Sequence, residues 1–109
     1  MQSIHFVDKN QPEVGGEATT CRKGMKWYTQ VNVGDEVNLV LDPDETVVGR
    51  AIIGKLWFGW FRQVPAIFLE IEHDPTCRTY TGLLAGMKAA YEDFKDTDLV
   101  TIIQYRRTE

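Results

Sequence analysis

A basic and aromatic strip lies between positions 19 and 33 of the sequence. It contains three cations, two aromatic residues next to them and no acid up to Gly34: Arg22, Lys23, Lys26, Trp27 and Tyr28. Cationic side chains bind phosphates and aromatic rings stack on unpaired bases, so this combination is typical of proteins that hold single strands or flipped nucleotides. The alternative is that both rings fill one end of a core while the cations are solvated. We interpret the strip as a binding surface for RNA or a nucleotide.

An acidic cluster directly precedes Pro75. Its members are Glu70, Glu72, His73 and Asp74. A carboxylate in a cleft that faces Arg22 and Lys23 would be placed for proton transfer, and His73 would contribute to ligand binding there. The alternative is a solvated acidic loop. The spacing does not choose among the three carboxylates.

Two adjacent hydroxyl groups, those of Thr19 and Thr20, stand beside Arg22. A threonine is a poor nucleophile unless a base activates it, and β-branched residues also favour strands without any chemical role. Thr19 is therefore a candidate ligand contact. Thr20 is a candidate nucleophile only if Glu70 or Glu72 acts as its base.

A second aromatic segment joins four rings to two cations. The rings are Trp57, Phe58, Trp60 and Phe61, and the cations are Lys55 and Arg62. In a strand Trp57 and Phe61 share one face and Phe58 and Trp60 the other. Core packing is expected for at least one pair. The other pair would form a surface for stacking or for a protein partner.

Metal binding is not expected from this sequence. Cys77 follows His73 by four residues, and only His5 and Cys21 remain to complete a zinc site. Cys21 and Cys77 form no C-x-x-C motif, so we predict free thiols. We expect no cofactor.

Length and charge limit the remaining possibilities. A chain of 109 residues is the size of one domain, which we predict to span residues 1–109. Its net charge of -4 argues against a protein that coats nucleic acid by bulk charge. The start of the chain lacks an apolar signal segment, and the most apolar stretch, Leu56 to Leu69, is too short to span a bilayer. We therefore expect a cytoplasmic protein without membrane contact.

Strands dominate the predicted secondary structure. The predicted strands are Ile4 to Val7, Thr19 to Arg22, Glu36 to Leu41, Thr46 to Leu56 and Leu99 to Tyr105. Period-two alternation predicts that Val37, Leu39 and Leu41 face inward. The turn at Pro43 makes the third and fourth strands a hairpin. Gly54 and Gly59 indicate bends or bulges in the run that follows.

Two helices complete the prediction. Pro65 starts a short helical turn through Leu69, and a second helix runs from about Thr81 to Tyr91, with Thr79 or Thr81 as its cap. The last strand is apolar on both faces, as expected for a central strand that a helix covers. The fold class is mainly β (α+β): a small barrel of five to six strands, mixed or antiparallel, with one or two short helices.

The order of these features resembles the ASCH family, a group of small PUA-like β-barrel domains, in its compact bacterial and phage form. The resemblance rests on Gly15 to Arg22, on the segment from Lys23 to Tyr28 leading to Val33 to Val37, and on a helix before the last strand. It implies handling of RNA or of a modified nucleoside. The implied cleft is lined by the Thr-x-Arg segment and by acids ahead of the C-terminal helix.

Some ASCH proteins are amidohydrolases that remove an acyl group from a modified cytidine with a Lys, a Thr and a Glu. Against the family pattern G-x-K-T-x-T-x-R, Gly15, Thr20 and Arg22 match, whereas Glu17 replaces the lysine and Ala18 the first threonine. Glu17 could activate a hydroxyl only as a differently charged base. This departure makes binding the leading hypothesis.

Three functions follow from the sequence. The first is an RNA- or nucleotide-binding module that uses the cleft. The second is an amidohydrolase on an acylated cytidine, with Thr20 as nucleophile and an acid between Glu70 and Asp74 as base. The third is a phage or bacterial accessory module that binds a protein partner through Trp57, Phe58, Trp60 and Phe61.

Overall fold

The computed structural model describes residues 1–109 and contains five strands and three short α-helices. The strands are β1 (Gln2–Phe6), β2 (Glu17–Lys23), β3 (Glu36–Leu41), β4 (Thr46–Trp60) and β5 (Leu99–Arg107). The helices are α1 (Lys26–Gln30), α2 (Ala66–Leu69) and α3 (Tyr80–Ala90), and two 3-10 turns cover Phe61–Gln63 and Pro75–Cys77.

The five strands form one sheet in the order β1-β3-β4-β5-β2. β1 runs parallel to β3, and the other neighbouring pairs are antiparallel. The sheet curls into a half-barrel, which confirms the predicted small α+β fold with five strands. Its two edge strands, β1 and β2, stay unpaired with each other and leave a seam between them.

Helix α1 is the third helix, where one or two were predicted. The sequence does not predict this helix, because five residues are too few to show helical periodicity. It begins at Lys26 without a side-chain cap and buries no residue. The Thr29 hydroxyl donates to the Lys26 carbonyl, and the half-buried Trp27 packs against the hydrophobic cluster that contains Ile4 and Phe6.

Strand β5 is an interior strand of the sheet, between β4 and β2, and it separates two hydrophobic clusters. Ile103 and Tyr105 belong to the cluster that includes Ile4 and Phe6, which we call the inner face. Val100 and Ile102 belong to the cluster that includes α3 side chains, which we call the outer face. Both faces of β5 are therefore covered, as the apolar composition of Leu99 to Tyr105 predicts.

The β3–β4 hairpin confirms the turn prediction and corrects one inward-facing residue. Val37 and Leu39 are fully buried, but Val40 is buried in place of Leu41. The reason is a register shift between Leu39 and Val40, which breaks the period-two alternation.

The two glycines of β4 behave differently. The register shifts between Ile53 and Lys55, so the bulge predicted at Gly54 is confirmed. At Gly59 the pairing stays in register opposite Val100, so β4 has no bulge at this position. A Cβ at Gly59 would lie 2.9 Å from the Trp57 ring, so this glycine gives the indole room.

Helix α3 begins after the cap that the sequence indicated. The Thr79 hydroxyl accepts from the Gly82 N–H at 3.0 Å, and the helix starts at Tyr80, one residue before the predicted Thr81. Leu83 and Met87, one helical turn apart, face the outer cluster. The helix thereby forms one wall of the site described below.

Candidate functional site

A cavity of about 220 Å³ opens at the seam between the two edge strands. Its walls come from the end of β1 (5–8), the middle of β2 (20–22), the acidic segment (72–74) and α3. These segments are far apart in sequence and meet because the sheet curls without closing. We call it the seam cavity.

Arg22 is the strongest cation in the seam cavity. Strand alternation places Thr20 and Arg22 on the same face of β2, and the Arg22 Nε donates to the Thr20 Oγ1 at 3.2 Å. The guanidinium carbon lies 5.0 Å from the centre of the Phe6 ring, within the range of a cation–π contact. No carboxylate oxygen lies within ion-pair distance of Arg22. Its charge is therefore available to a ligand.

Burial lowers the pKa of the Arg22 guanidinium from its ordinary value. The physical cause is loss of hydration of the charged form. An anionic or strongly accepting ligand would restore that stabilisation, since hydrogen bonds to a charged donor are among the strong ones. Arg22 is thus positioned to contact a phosphate or a carbonyl oxygen.

Glu72 is the acid that the structure selects from the acidic cluster. It is 3% exposed, and its Oε2 accepts from the Asp74 N–H at 2.6 Å. Burial raises the pKa of Glu72 to about 8, with further increases from the charges of Asp74 and Asp8. At neutral pH this carboxyl group therefore holds its proton and can act as a donor.

His73 connects Glu72 to the rim of the cavity. Its Nε2 lies 3.2 Å from the Glu72 Oε1, and its Nδ1 lies 3.3 Å from the Asn10 carbonyl oxygen and 3.5 Å from the Asp8 Oδ1. Burial lowers the pKa of His73, although the Asp8 charge opposes this effect. A carbonyl can only accept, so the neutral ring donates from Nδ1 to Asn10 and offers the Nε2 lone pair to the Glu72 proton.

Backbone pairing fixes Glu72 beside β2. The Thr19 N–H donates to the Ile71 carbonyl at 3.0 Å, and the His73 N–H donates to the Thr19 carbonyl at 2.9 Å. These bonds form a short parallel bridge between Thr19 and Glu72. The Thr19 hydroxyl faces away from the cavity and donates to the Phe68 carbonyl at 2.6 Å. Its visible contacts are structural, and its predicted role in ligand binding stays untested.

The structure divides the predicted site residues into two groups. Thr20, Arg22, Glu72 and His73 all line the seam cavity, with Asp74 at their side. The remaining residues lie outside it: Glu70, Thr19, Lys23, Lys26, Trp27 and Tyr28. Lys23 faces away because strand alternation directs it opposite to Arg22, and α1 carries its three residues away from the seam. The structure therefore brings only some of the residues of the expected cleft together.

Phe6 and Asp8 line the seam cavity beside His73, and neither was predicted as a site residue. Phe6 contacts the His73 ring edge-on, with ring centres 4.7 Å apart. Neither residue has a local pattern that links it to Arg22 or to the acidic cluster. Only the position of Asp8, directly after the first strand, marks the end of an edge strand where a site can form.

The cysteines show no sign of reactivity. Cys21 and Cys77 are both free and buried. Burial raises the pKa of the Cys21 thiol far above its ordinary value and that of Cys77 to about 11. Both therefore remain protonated at neutral pH. No group of three or more His, Cys, Asp or Glu side chains is arranged to hold a metal ion.

The second aromatic segment is split between the two faces of the sheet. Phe61 is buried and Trp57 packs against the outer cluster. Phe58 is half-buried, and Trp60 is exposed. This matches the predicted face-sharing, and it removes Phe61 from the surface proposed for a protein partner.

The half-barrel with its open seam is a small α+β fold. No family model matches the sequence, and no curated protein does. Among solved structures, the ASCH domain from Lactobacillus crispatus JV V101 superposes with a TM-score of 0.67 at 14% identity, over 86% of this chain and 65% of that chain. A DUF984 protein from Enterococcus faecalis V583 superposes with a TM-score of 0.59 at 15% identity, over 85% of this chain and 64% of that chain.

The chain therefore has an ASCH-like fold, which confirms the resemblance found in the sequence. It spans slightly less than two thirds of the length of the two matched chains. None of its helices combines the length and apolar character that crossing a membrane requires.

Proposed function

We propose that this protein binds a nucleotide or an RNA nucleotide unit in the seam cavity. The observation that carries the proposal is the Arg22 guanidinium, which lines the cavity with no carboxylate within ion-pair distance. A charged donor in this setting favours a phosphate or carbonyl oxygen of a ligand.

The opposite side of the cavity provides a complementary group. A protonated Glu72 carries one donor and retains acceptor capacity, which suits the edge of a nucleobase that also has a donor and an acceptor. The Phe6 and Tyr91 rings contribute apolar surface. The cavity volume of about 220 Å³ leaves room for one base-sized group.

Local charge, and not total charge, supports this proposal. The chain as a whole has a net charge of -4, and this overall charge repels a polyanion. A nucleotide ligand must therefore be held by specific contacts, of which Arg22 is the strongest.

Substituting Arg22 tests the proposal. We expect Arg22→Ala to weaken binding of cytidine 5′-monophosphate by about 10- to 100-fold, about 1–3 kcal/mol, because a charge-assisted contact is lost. Arg22→Lys should give an intermediate loss, since it keeps the charge but not the planar fork. The measurement is an NMR titration that follows the amides of residues 19–26 and the three Trp indole signals.

Lys23→Ala is the matched control, because it removes the same charge from the neighbouring position on the opposite face. It should bind like the wild type. Equal affinity of the Arg22→Ala variant and the wild type, in a variant whose amide spectrum shows a folded protein, would contradict the proposal.

A second candidate function is hydrolysis of an acylated cytidine. The observation in its favour is that the Thr20 hydroxyl and the Glu72 carboxyl group line one cavity. The Thr20 oxygen would attack the acyl carbon while its proton passes to Glu72, the cytidine amine would leave with a proton, and water would then release the acyl group from Thr20. Against it, Glu17 replaces the family's lysine and bonds to the Gln104 amide outside the cavity, and no lysine lines the wall.

Turnover of an acylated cytidine separates the two candidates. The hydrolase hypothesis expects free cytidine to appear, faster as the pH rises towards 8, where Glu72 loses its proton and becomes a base. It also expects Thr20→Ala to abolish turnover and Thr20→Ser to retain part of it. The same rate from a folded Thr20→Ala variant would exclude Thr20 as the nucleophile. If the wild type releases no cytidine, the hydrolase hypothesis is wrong and only the binding function remains.

A further inference from the structure

Three aromatic rings form an exposed surface outside the seam cavity, and we call them the aromatic platform: Tyr28, Phe58 and Trp60. Tyr28 is 45% and Trp60 is 44% exposed. The Tyr28 and Phe58 rings lie 5.7 Å apart at 40° and cover each other only in part. Two large rings therefore remain accessible on one side of the protein.

The aromatic platform lies on the same face of the sheet as Arg22. Arg22 pairs with Thr101, and Thr101 pairs with Phe58, so the three residues form one cross-strand row. Residues paired directly across antiparallel strands point to the same face. The row spans two strand spacings, about 10 Å between the Cα atoms of Arg22 and Phe58. Trp60 extends the face by one further row, opposite Leu99.

The start of α1 is tied to this row. The Thr101 hydroxyl donates to the Gly24 carbonyl at 2.8 Å, and the Gly24 N–H donates to the Leu99 carbonyl at 2.7 Å. The start of α1 is thereby held against β5. In this helix Tyr28 contacts Phe58, and Lys26 is exposed to solvent.

Charge around the platform matches a polyanion. The chain carries no acid between Ala18 and Gly34 and none between Thr46 and Leu69, the two segments that supply the rings. The acid next to Leu99 is Asp98, whose carboxylate accepts from the Lys95 N–H at 2.8 Å. An exposed aromatic surface with cations and few acids suits bases and phosphates better than an apolar protein groove.

We infer that the ligand is a single-stranded nucleic acid and not a free mononucleotide. One nucleotide enters the seam cavity, and bases next to it in the strand stack on Tyr28 and Trp60. This inference rests on the proposed function and extends it, because it names a ligand of several nucleotides and a second contact surface.

Affinity as a function of strand length tests this inference. The probes are cytidine 5′-monophosphate and single-stranded RNA of two, four and six nucleotides, each titrated into the full chain by calorimetry. A matched DNA series shows whether the ribose hydroxyl is recognised. We expect the tetranucleotide to bind at least tenfold more tightly than the monophosphate, since each stacked base adds to the affinity.

Variants of the platform separate stacking from cavity binding. Trp60→Ala and Tyr28→Ala should each weaken tetranucleotide binding by about tenfold and leave monophosphate binding unchanged. Trp60→Phe should restore part of the loss, because a smaller ring still stacks. Val47→Ala is the control, since it shortens an exposed apolar side chain at the opposite end of β4.

The possible failures are distinct. If the monophosphate binds through Arg22 but longer strands bind no more tightly, the inference is wrong and the proposed function stands. If neither ligand binds, the proposed function itself is wrong. A dimer of the wild-type protein that Trp60→Ala dissociates, with no change in RNA affinity, would make the platform a contact between copies and overturn the inference.

Discussion

Replacing Glu72 with glutamine is expected to stabilise the protein at pH 8, to stabilise it less at pH 6.5, and to leave its stability nearly unchanged only near pH 4.5 and below. The pKa of Glu72 is about 8 in the folded chain and close to the ordinary glutamate value of 4.5 when the chain unfolds. Between these values the folded state holds a proton that the unfolded state has released. The free energy of unfolding therefore falls as the pH rises from 4.5 to 8.

The expected size follows from the same shift. Each unit of pKa corresponds to about 1.4 kcal/mol, so the full penalty is on the order of 3–5 kcal/mol and about 1–2 kcal/mol of it develops between pH 6.5 and 8. A glutamine amide has the hydrogen-bonding pattern of a protonated carboxyl group, so it can accept from the Asp74 N–H and donate to the His73 ring. The Glu72→Gln variant should therefore keep both hydrogen bonds and show no loss of unfolding free energy from this residue as the pH rises.

Urea denaturation at several pH values between 6.5 and 8 measures this effect. Histidines and cysteines contribute to the pH dependence of both proteins, so the difference between the wild-type and Glu72→Gln profiles reports Glu72. Glu70→Gln is the matched control, because the same change is made at an exposed acid two residues away. Parallel pH profiles for Glu72→Gln and the wild type would show that Glu72 is ionised in the folded protein.

Replacing Phe6 with alanine should cost about 3–5 kcal/mol of stability and also weaken nucleotide binding. Phe6 is buried on edge strand β1 and touches the seam cavity from one side. Its ring contacts the His73 ring at 4.7 Å and supports the Arg22 guanidinium at 5.0 Å between centres. Alanine removes the packing of β1 and both contacts with site residues.

Two further variants make the result interpretable. Val7→Ala, at the exposed neighbouring position, should change the free energy of unfolding by less than about 0.5 kcal/mol. Phe6→Leu should keep most of the stability but still reduce nucleotide affinity, because a leucine fills volume without a ring face for Arg22. Wild-type affinity in the folded Phe6→Leu variant would show that Arg22 needs no support from this ring.

Local patterns in the sequence determined most of the strands. The range Glu36–Leu41 was predicted with its observed bounds, the hairpin partner followed from turn residues, and the last strand followed from its apolar residues on both faces. Thr20 and Arg22 share one face because their spacing is two. These features depend on neighbouring residues, so a single sequence contains the information.

Only the tertiary structure decided which of these residues form a site. Glu72 was chosen over Glu70 by the backbone bridge to Thr19, and burial then raised its pKa. Helix α1 separated Tyr28 from Arg22, and the curl of the open sheet brought Phe6 to the same cavity as Arg22. The physical reason is that strand periodicity is a local property, whereas burial and the meeting of two edge strands depend on how the whole sheet curls.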